Sequence, residues 1–363
     1  MTASSAPSRR TVDFGYASST LRTRWFSARL AARLLTISAA CFAIALAAAT
    51  IAIALGDYPL TLDQVVTVLA GGGEDFHRMI VLEWRLPVAV AAVLFGALLG
   101  VGGAIFQSLT RNPLGSPDVI GFDSGSYTAV VITILVLGSD SYWSLASAAL
   151  IGGLATAFIV YLLAYRRGVQ GFRLIIIGIG ISAMLESINS YLITRADLDD
   201  AMTVGFWGAG SIGRVSWSSM GPSLLVGALI MVAAMTLAPA LRRLELGDDA
   251  ATSLGTRPTP VRLGLMIVGV ATTALVTAAA GPIGFIALAA PQLARRLTRS
   301  PGVSLLAAAA MGAALLCLAH LLSLLIAQVF RAVPVGLITV CLGGLYLIWL
   351  LIREARVSYG AAR

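Results

Sequence analysis

The sequence predicts an all-α polytopic membrane protein with about ten transmembrane helices. Of its 363 residues 58% are hydrophobic and only 12% charged, with a mean hydropathy of +0.90. An average soluble domain is about 25% charged and has no means of covering so much apolar surface. The apolar residues are grouped in runs close to the ~20 residues that a bilayer crossing needs. The net charge of +8 comes from arginines set in short tracts between those runs. That is the pattern of topology signals rather than of a phosphate-binding stripe, so the expected partner is a lipid bilayer and no nucleic acid. Length therefore implies one helical bundle, not several globular domains.

Residues 1–33 are basic and rich in Ser and Ala, and read as a cytoplasmic tail. The first run, 34–55, exceeds the ~7–15 residues of a secretory h-region and reads as a retained span. Further runs follow at 86–107, 119–137, 142–165, 174–194, 221–241, 263–280, 282–294, 303–328 and 333–352. Together 34–352 form the transmembrane domain, and 353–363 a cytoplasmic C-terminal tail. The run 282–294 is short and follows Gly281-Pro282, a natural helix break. Joining it to 263–280 would give nine spans and put Arg295, Arg296 and Arg299 outside. Ten spans with a cytoplasmic start leave only Arg78, Arg85, Arg195, Arg214 and Arg331 outside and the other twenty arginines inside. The positive-inside rule selects ten, with both termini cytoplasmic.

Two outer segments exceed a simple turn: Gly56–Glu83, and Ala196–Met220 with its Gly-rich GFWGAGSIGRVSW. On the inner side, 241–262 is the one loop long and polar enough for short helices of its own. LTRNP (109–113) and LTRSP (297–301) echo each other, too briefly to establish a duplication.

Ionisable residues inside a bilayer cost roughly 2.5–3.5 kcal/mol each on insertion scales, so each is a functional candidate. Asp123 lies near the cytoplasmic end of its run, where it can reach the interface or cap a helix. Glu186, Asn189 and Ser190 share a helical face, a stripe suited to a partner helix or an aqueous path. His320 has no second ligand at metal spacing and reads as a packed, hydrogen-bonded group. Cys41, Cys317 and Cys341 are too dispersed for a metal signature and read as packing residues. No metal site or catalytic residue is expected. There is no GxxxxGK[ST] stretch and no lysine to complete one, so ATP hydrolysis would belong to a partner.

The stretch EWRLPVAVAAVLFGALLGVGGAIFQSLTRNPLGSPDVIGFDSG (83–125) resembles the FecCD/BtuC-like permease family of ABC importers. So do LIIIGIGISAMLESINSYLI (174–193), LELGDDAATSLG (244–255), AAAGPIGFIALAAPQLARRL (278–297) and VPVGLITVCLGGLYLIWLL (333–351). The resemblance implies a ten-helix permease without its own ATPase, importing ferric siderophore across the bacterial cytoplasmic membrane. Its partners would be a second permease, two cytoplasmic ATPases that use ATP and Mg, and an extracytoplasmic solute-binding protein. Coupling to the ATPases would fall to Leu246, Gly247, Asp248, Asp249, Ala250, Leu254 and Gly255. Asn112, Pro113, Leu114, Val169 and Gln170 would form the cytoplasmic gate, and Glu186 and Asn189 would line the path.

The sequence departs from the family pattern where Val88 follows RLP, where Gln292 follows Pro291, and at His320, Leu324 and Ala332. Two outer arginines are lost, leaving Arg85 and Arg331 for docking the binding protein. The stretch 287–302 resembles the less standard subunit of ferric-enterobactin-type pairs, implying a heterodimer. Cobalamin or haem import, and an ion-coupled secondary carrier with Glu186 as the proton site, are the alternatives.

Overall fold

The computed structural model describes residues 18–22, 27–118, 120–164 and 171–361; Val169 and Gln170 lie outside the described residues. A two-stranded antiparallel hairpin, β1 (Ser18–Arg22) and β2 (Ser27–Ala31), precedes the bundle, an addition to the all-helical expectation. Then come α1 (Ala32–Ala54), the short α2 (Leu62–Leu69) and α3 (Asp75–Arg78), and a π-helical turn Met79–Arg85 leading into α4 (Leu86–Thr110). The chain continues through α5 (Phe122–Leu135), α6 (Tyr142–Ala164), α7 (Gly171–Arg195), α8 (Leu198–Gly208) and α9 (Trp217–Glu245). It closes with α10 (Asp248–Ser253), α11 (Pro258–Ala280), α12 (Ile286–Thr298), α13 (Leu305–Val329) and α14 (Val335–Ala361). Among the described residues, ten of these helices coincide with the ten apolar runs. α14 continues through the residues expected as a tail.

Four local signals set these boundaries. Thr61 accepts from the Gln64 amide while the Gln64 side chain accepts from the Thr61 amide, a capping box that starts α2. Pro87 stands in the first turn of α4, where the missing N–H costs nothing. Gly281 at φ 76° ends α11, and Phe285 at φ 68° begins α12. A left-handed phenylalanine is strained; its amide donates to Asp118 Oδ2 at 2.9 Å.

The core is a small-residue seam. Gly96 and Gly100 on α4 lie against the backbone of Gly312 and Ala308 on α13, and Gly103 against the carbonyl of Ala287 on α12. A Cβ at any of these positions would collide with backbone, so the helices approach as closely as glycine allows. Phe95, Leu98, Leu99 and Ile105 fill the same buried cluster. A second cluster joins Phe106 and Phe122, whose ring centroids lie 5.4 Å apart, to Met266 and Val270 of α11.

One expected span is reshaped. α5 holds 14 residues, about 21 Å at 1.5 Å per residue, so it begins part-way into the bundle. Residues 112–118 and 120–121 re-enter from the end of α4 to reach it. Asp123, read as interfacial or capping, instead sits inside the bundle, where Thr277 Oγ1 of α11 donates to its Oδ1 at 3.0 Å.

Candidate translocation and coupling site

At one end of the bundle α9 and α11 are joined by an elbow containing all seven expected coupling residues. Gly247 (φ 109°) and Gly255 (φ 75°) take conformations that side chains rarely adopt, and these turns isolate the single-turn α10. Ala251 and Thr256 are buried and anchor it, while Leu246 and Leu254 are exposed. An apolar pair held out on a rigid elbow is suited to insertion into a cleft of another protein.

Asp248, in the first turn of α10, is held by two arginines. Arg262 grips both carboxylate oxygens at 2.6 and 2.9 Å, and Arg111 Nη2 lies 3.6 Å from Oδ1. As a partly exposed pair this is worth about 1 kcal/mol or less. Its value is directional, since a two-pronged bond fixes an angle that one contact does not. Arg111 also donates to the Leu244 carbonyl at 3.3 Å, and Ser108 Oγ to Glu245 Oε1 at 3.0 Å. The elbow is thus tied to the end of α4, the helix that leads into the expected gate.

There Arg111 turns left-handed (φ 50°), ending α4. Asn112 Oδ1 accepts from the Leu114 amide at 2.9 Å, an Asx turn that shapes the Asn-Pro-Leu neck. Gln292 of α12 donates through Nε2 to the Pro113 carbonyl at 2.8 Å, and Tyr346 of α14 donates to Gln292 Oε1 at 3.3 Å. Gln107 reaches the Leu288 carbonyl at 2.9 Å. Gly171, which begins α7, packs against the Thr110 backbone. A polar cavity of about 340 Å³, lined by Gln107, Arg111, Asn112, Glu245, Gln292 and Arg295 among others, opens beside this neck.

The expected path residues are separated. Glu186 is exposed on α7, whereas Asn189 is buried with neither amide atom hydrogen-bonded. At the opposite end Arg85 spends its guanidinium on two backbone carbonyls, Ile53 at 2.8 Å and Tyr58 at 2.7 Å, bracing the 56–85 segment. Arg331 is exposed. His320 lines two cavities of about 310 and 270 Å³ at this end and, among the described residues, has no hydrogen-bond partner, in contrast to the hydrogen-bonded group expected. Sequence reasoning missed Arg262, Arg111, Glu245, Gln107 and Gln292 as site residues. The available signal was a polar side chain inside or at the edge of an apolar run.

A helical bundle with a glycine-hinged elbow at one end and a re-entrant Asn-Pro-Leu neck beside it matches one family model from residue 43 to residue 353. The chain belongs to the FecCD transport family. It is 44% identical over 332 residues to the ferric enterobactin transport system permease protein FepG of Escherichia coli strain K12, covering 92% of this chain and 99% of that one. To the iron(3+)-hydroxamate import system permease protein FhuG of Bacillus subtilis strain 168 it is 33% identical, covering 88% and 97%. Among solved structures it superposes on an ABC transporter assigned to the metal-chelate type, in an inward-facing conformation. The TM-score is 0.76 at 24% identity, covering 88% of this chain and 99% of that one, which establishes the shared fold.

Proposed function

We propose that this FecCD-family chain is the permease subunit that carries a ferric siderophore across the bacterial cytoplasmic membrane. It works as one half of a heterodimer with a second permease. The observation that carries this reading is the full-length likeness to ferric-chelate permeases, supported by a structure whose one rigid polar elbow is wired to its neck. In this reading an extracytoplasmic binding protein delivers cargo at the end that carries Arg85 and Arg331. Two cytoplasmic ATPases bind ATP and Mg and engage α10 through Leu246 and Leu254. Their closure moves the elbow, the Asp248–Arg262 clamp carries the motion to α4 and α11, and the Asn112–Leu114 neck opens, with Val169 and Gln170 as its other side. Glu186 on α7 faces the second permease and the path between the two. Both termini are cytoplasmic, and this chain binds no cofactor.

The test is uptake of labelled ferric siderophore by the complete transporter carrying Gly255→Trp or Asp248→Trp. The expected result is loss of uptake with normal membrane levels of the permease. Uptake at the wild-type rate would refute the coupling role. Competition by cobalamin or haem, with none by ferric siderophores, would refute the cargo.

A further inference from the structure

Four helices, α1, α4, α9 and α13, enclose an apolar groove of about 400 Å³ that the transport reading leaves unused. Leu35, Ser38 and Phe42 of α1 form one wall and Met231 and Met235 of α9 the other, with Leu306 of α13 beside them. Phe42, Leu306 and Met235 are 47%, 43% and 60% exposed, so the groove is open along its outward side. α7, the face assigned to the second permease, does not border it.

The depth of the groove follows from bonds at its ends. Arg33 donates to the Leu297 carbonyl, joining the start of α1 to the end of α12, and Glu245 accepts from the Val303 amide, joining the end of α9 to the start of α13. Leu35 and Leu306 therefore lie at the elbow end, and the groove climbs from there. Leu35 to Phe42 spans about 10 Å of helix, whereas half of a ~30 Å hydrocarbon core is about 15 Å. The groove thus belongs to one leaflet, where the surrounding medium is acyl chain.

Polar atoms stand without partners along it. Ser38, the one polar side chain of the wall, is 6% exposed and its hydroxyl has no hydrogen bond. Pro239 has no N–H, so the Met235 carbonyl at the mouth lacks its helical donor. Arg242 lies on the stripe of Met231 and Met235, two turns nearer the elbow. Helical side chains lean toward the helix N-terminus, which from Arg242 is toward the groove. Arg242 is exposed, and no carboxylate among the described residues pairs with it. The neighbouring cations are engaged, Arg243 with Thr256 Oγ1 and Arg33 with the Leu297 carbonyl.

We propose that this groove binds one anionic phospholipid of the elbow-side leaflet, with an acyl chain between α1 and α9 and the phosphate on Arg242. Basic positions between helices at the membrane surface are where anionic headgroups bind, and the chain gains dispersion contact with walls that would otherwise face a gap. An ester carbonyl, just below the phosphate, accepts from the Ser38 hydroxyl after rotation about one bond. A glycerol headgroup offers hydroxyl donors to the Met235 carbonyl, which a choline headgroup lacks. Because α9 runs directly into Leu246, a lipid that joins α9 to α1 and α13 steadies the base of the elbow.

The probe is phosphatidylglycerol, compared with phosphatidylcholine of the same acyl chains, on the complete transporter. Native mass spectrometry is expected to show the wild type retaining one more phosphatidylglycerol than either Ala39→Trp, which fills the groove from an exposed position, or Arg242→Gln. All three proteins are expected to melt alike in lipid-free detergent. Equal retention by the wild type and either variant overturns the proposal, as does equal retention of phosphatidylcholine by the wild type. A second readout rests on the importer reading: uptake of labelled ferric siderophore into phosphatidylcholine vesicles is expected to rise a fewfold when phosphatidylglycerol is included, but not in Arg242→Gln. An equal rise in both overturns the link from lipid to elbow. Absence of uptake from every vesicle overturns the importer reading alone, since lipid retention is measured without it.

Discussion

α4 and α7 are each 25 residues long and both are apolar enough to cross a bilayer, yet the protein uses them oppositely. In the apolar stretch of Asp75–Thr110, 72% of residues are buried within the chain; in Gly171–Arg195 the figure is 11%. α4 carries Gly96, Gly100 and Gly103 where α13 and α12 cross it, so its neighbours close down to backbone contact. α7 turns Ile176, Ile179, Met184, Ile188 and Tyr191 outward together with Glu186. Hydropathy says only that a segment crosses. Small residues decide which helices seal inside one chain, and a carboxylate left on an outward face marks a surface that lipid alone would not cover.

The contrast breaks most visibly at glycine. Gly103→Leu drives a side chain into the Ala287 carbonyl, and we expect a cost of about 3 kcal/mol or more, seen as loss of folded protein on thermal unfolding in detergent. Gly180→Leu, on α7 with nothing within 4 Å of its Cβ position, leaves the melting curve unchanged; equal losses would erase the distinction between the two helices. Next in size, Glu186→Trp is expected to leave this chain folded while the second permease no longer co-purifies with it. Retained assembly would remove α7 from the subunit interface.

Smaller effects separate the neck from the elbow. Gln292→Leu strips the Pro113 carbonyl of its donor, a local loss of about 1–3 kcal/mol. It is expected to raise ATP hydrolysis without binding protein a fewfold, and an unchanged rate would exclude Gln292 as a latch. Smallest of all, Arg111→Gln removes the 3.6 Å contact to Asp248 and the 3.3 Å bond to the Leu244 carbonyl, both at the exposed edge of the elbow, and is expected to change uptake less than twofold, whereas Arg262→Gln abolishes most of it. Equal effects would show that the paired grip is not what orients the elbow.

The elbow was legible because its signals are local: Gly247 and Gly255 bracket a polar segment between two apolar runs. The neck was half legible. Pro113 and Pro117 announce a non-helical stretch, but Gln292 lies 179 residues from Pro113, and no spacing rule connects them. Arg85 was legible as an outer arginine, but its bonds to the carbonyls of Ile53 and Tyr58 were not, because they join residues 27 and 32 positions away. Asp123 does stand in the first turn of a helix, but its bond to Thr277 was not legible, because hydropathy treats 119–137 as one span whereas Gly121 at φ 92° starts the helix only inside the bundle.

By itself the sequence determined the apolar helical segments, the site of the elbow and the family, because apolar runs, glycine turns and family motifs act over a few residues each. The tertiary structure alone decided which helices bury one another, that Asp248 is clamped by Arg262 across the elbow, and that Asp118 and Asp123 flank a distant break. Those outcomes depend on how closely backbones approach and on which atoms remain without partners once they do, and neither quantity is defined until the helices have packed.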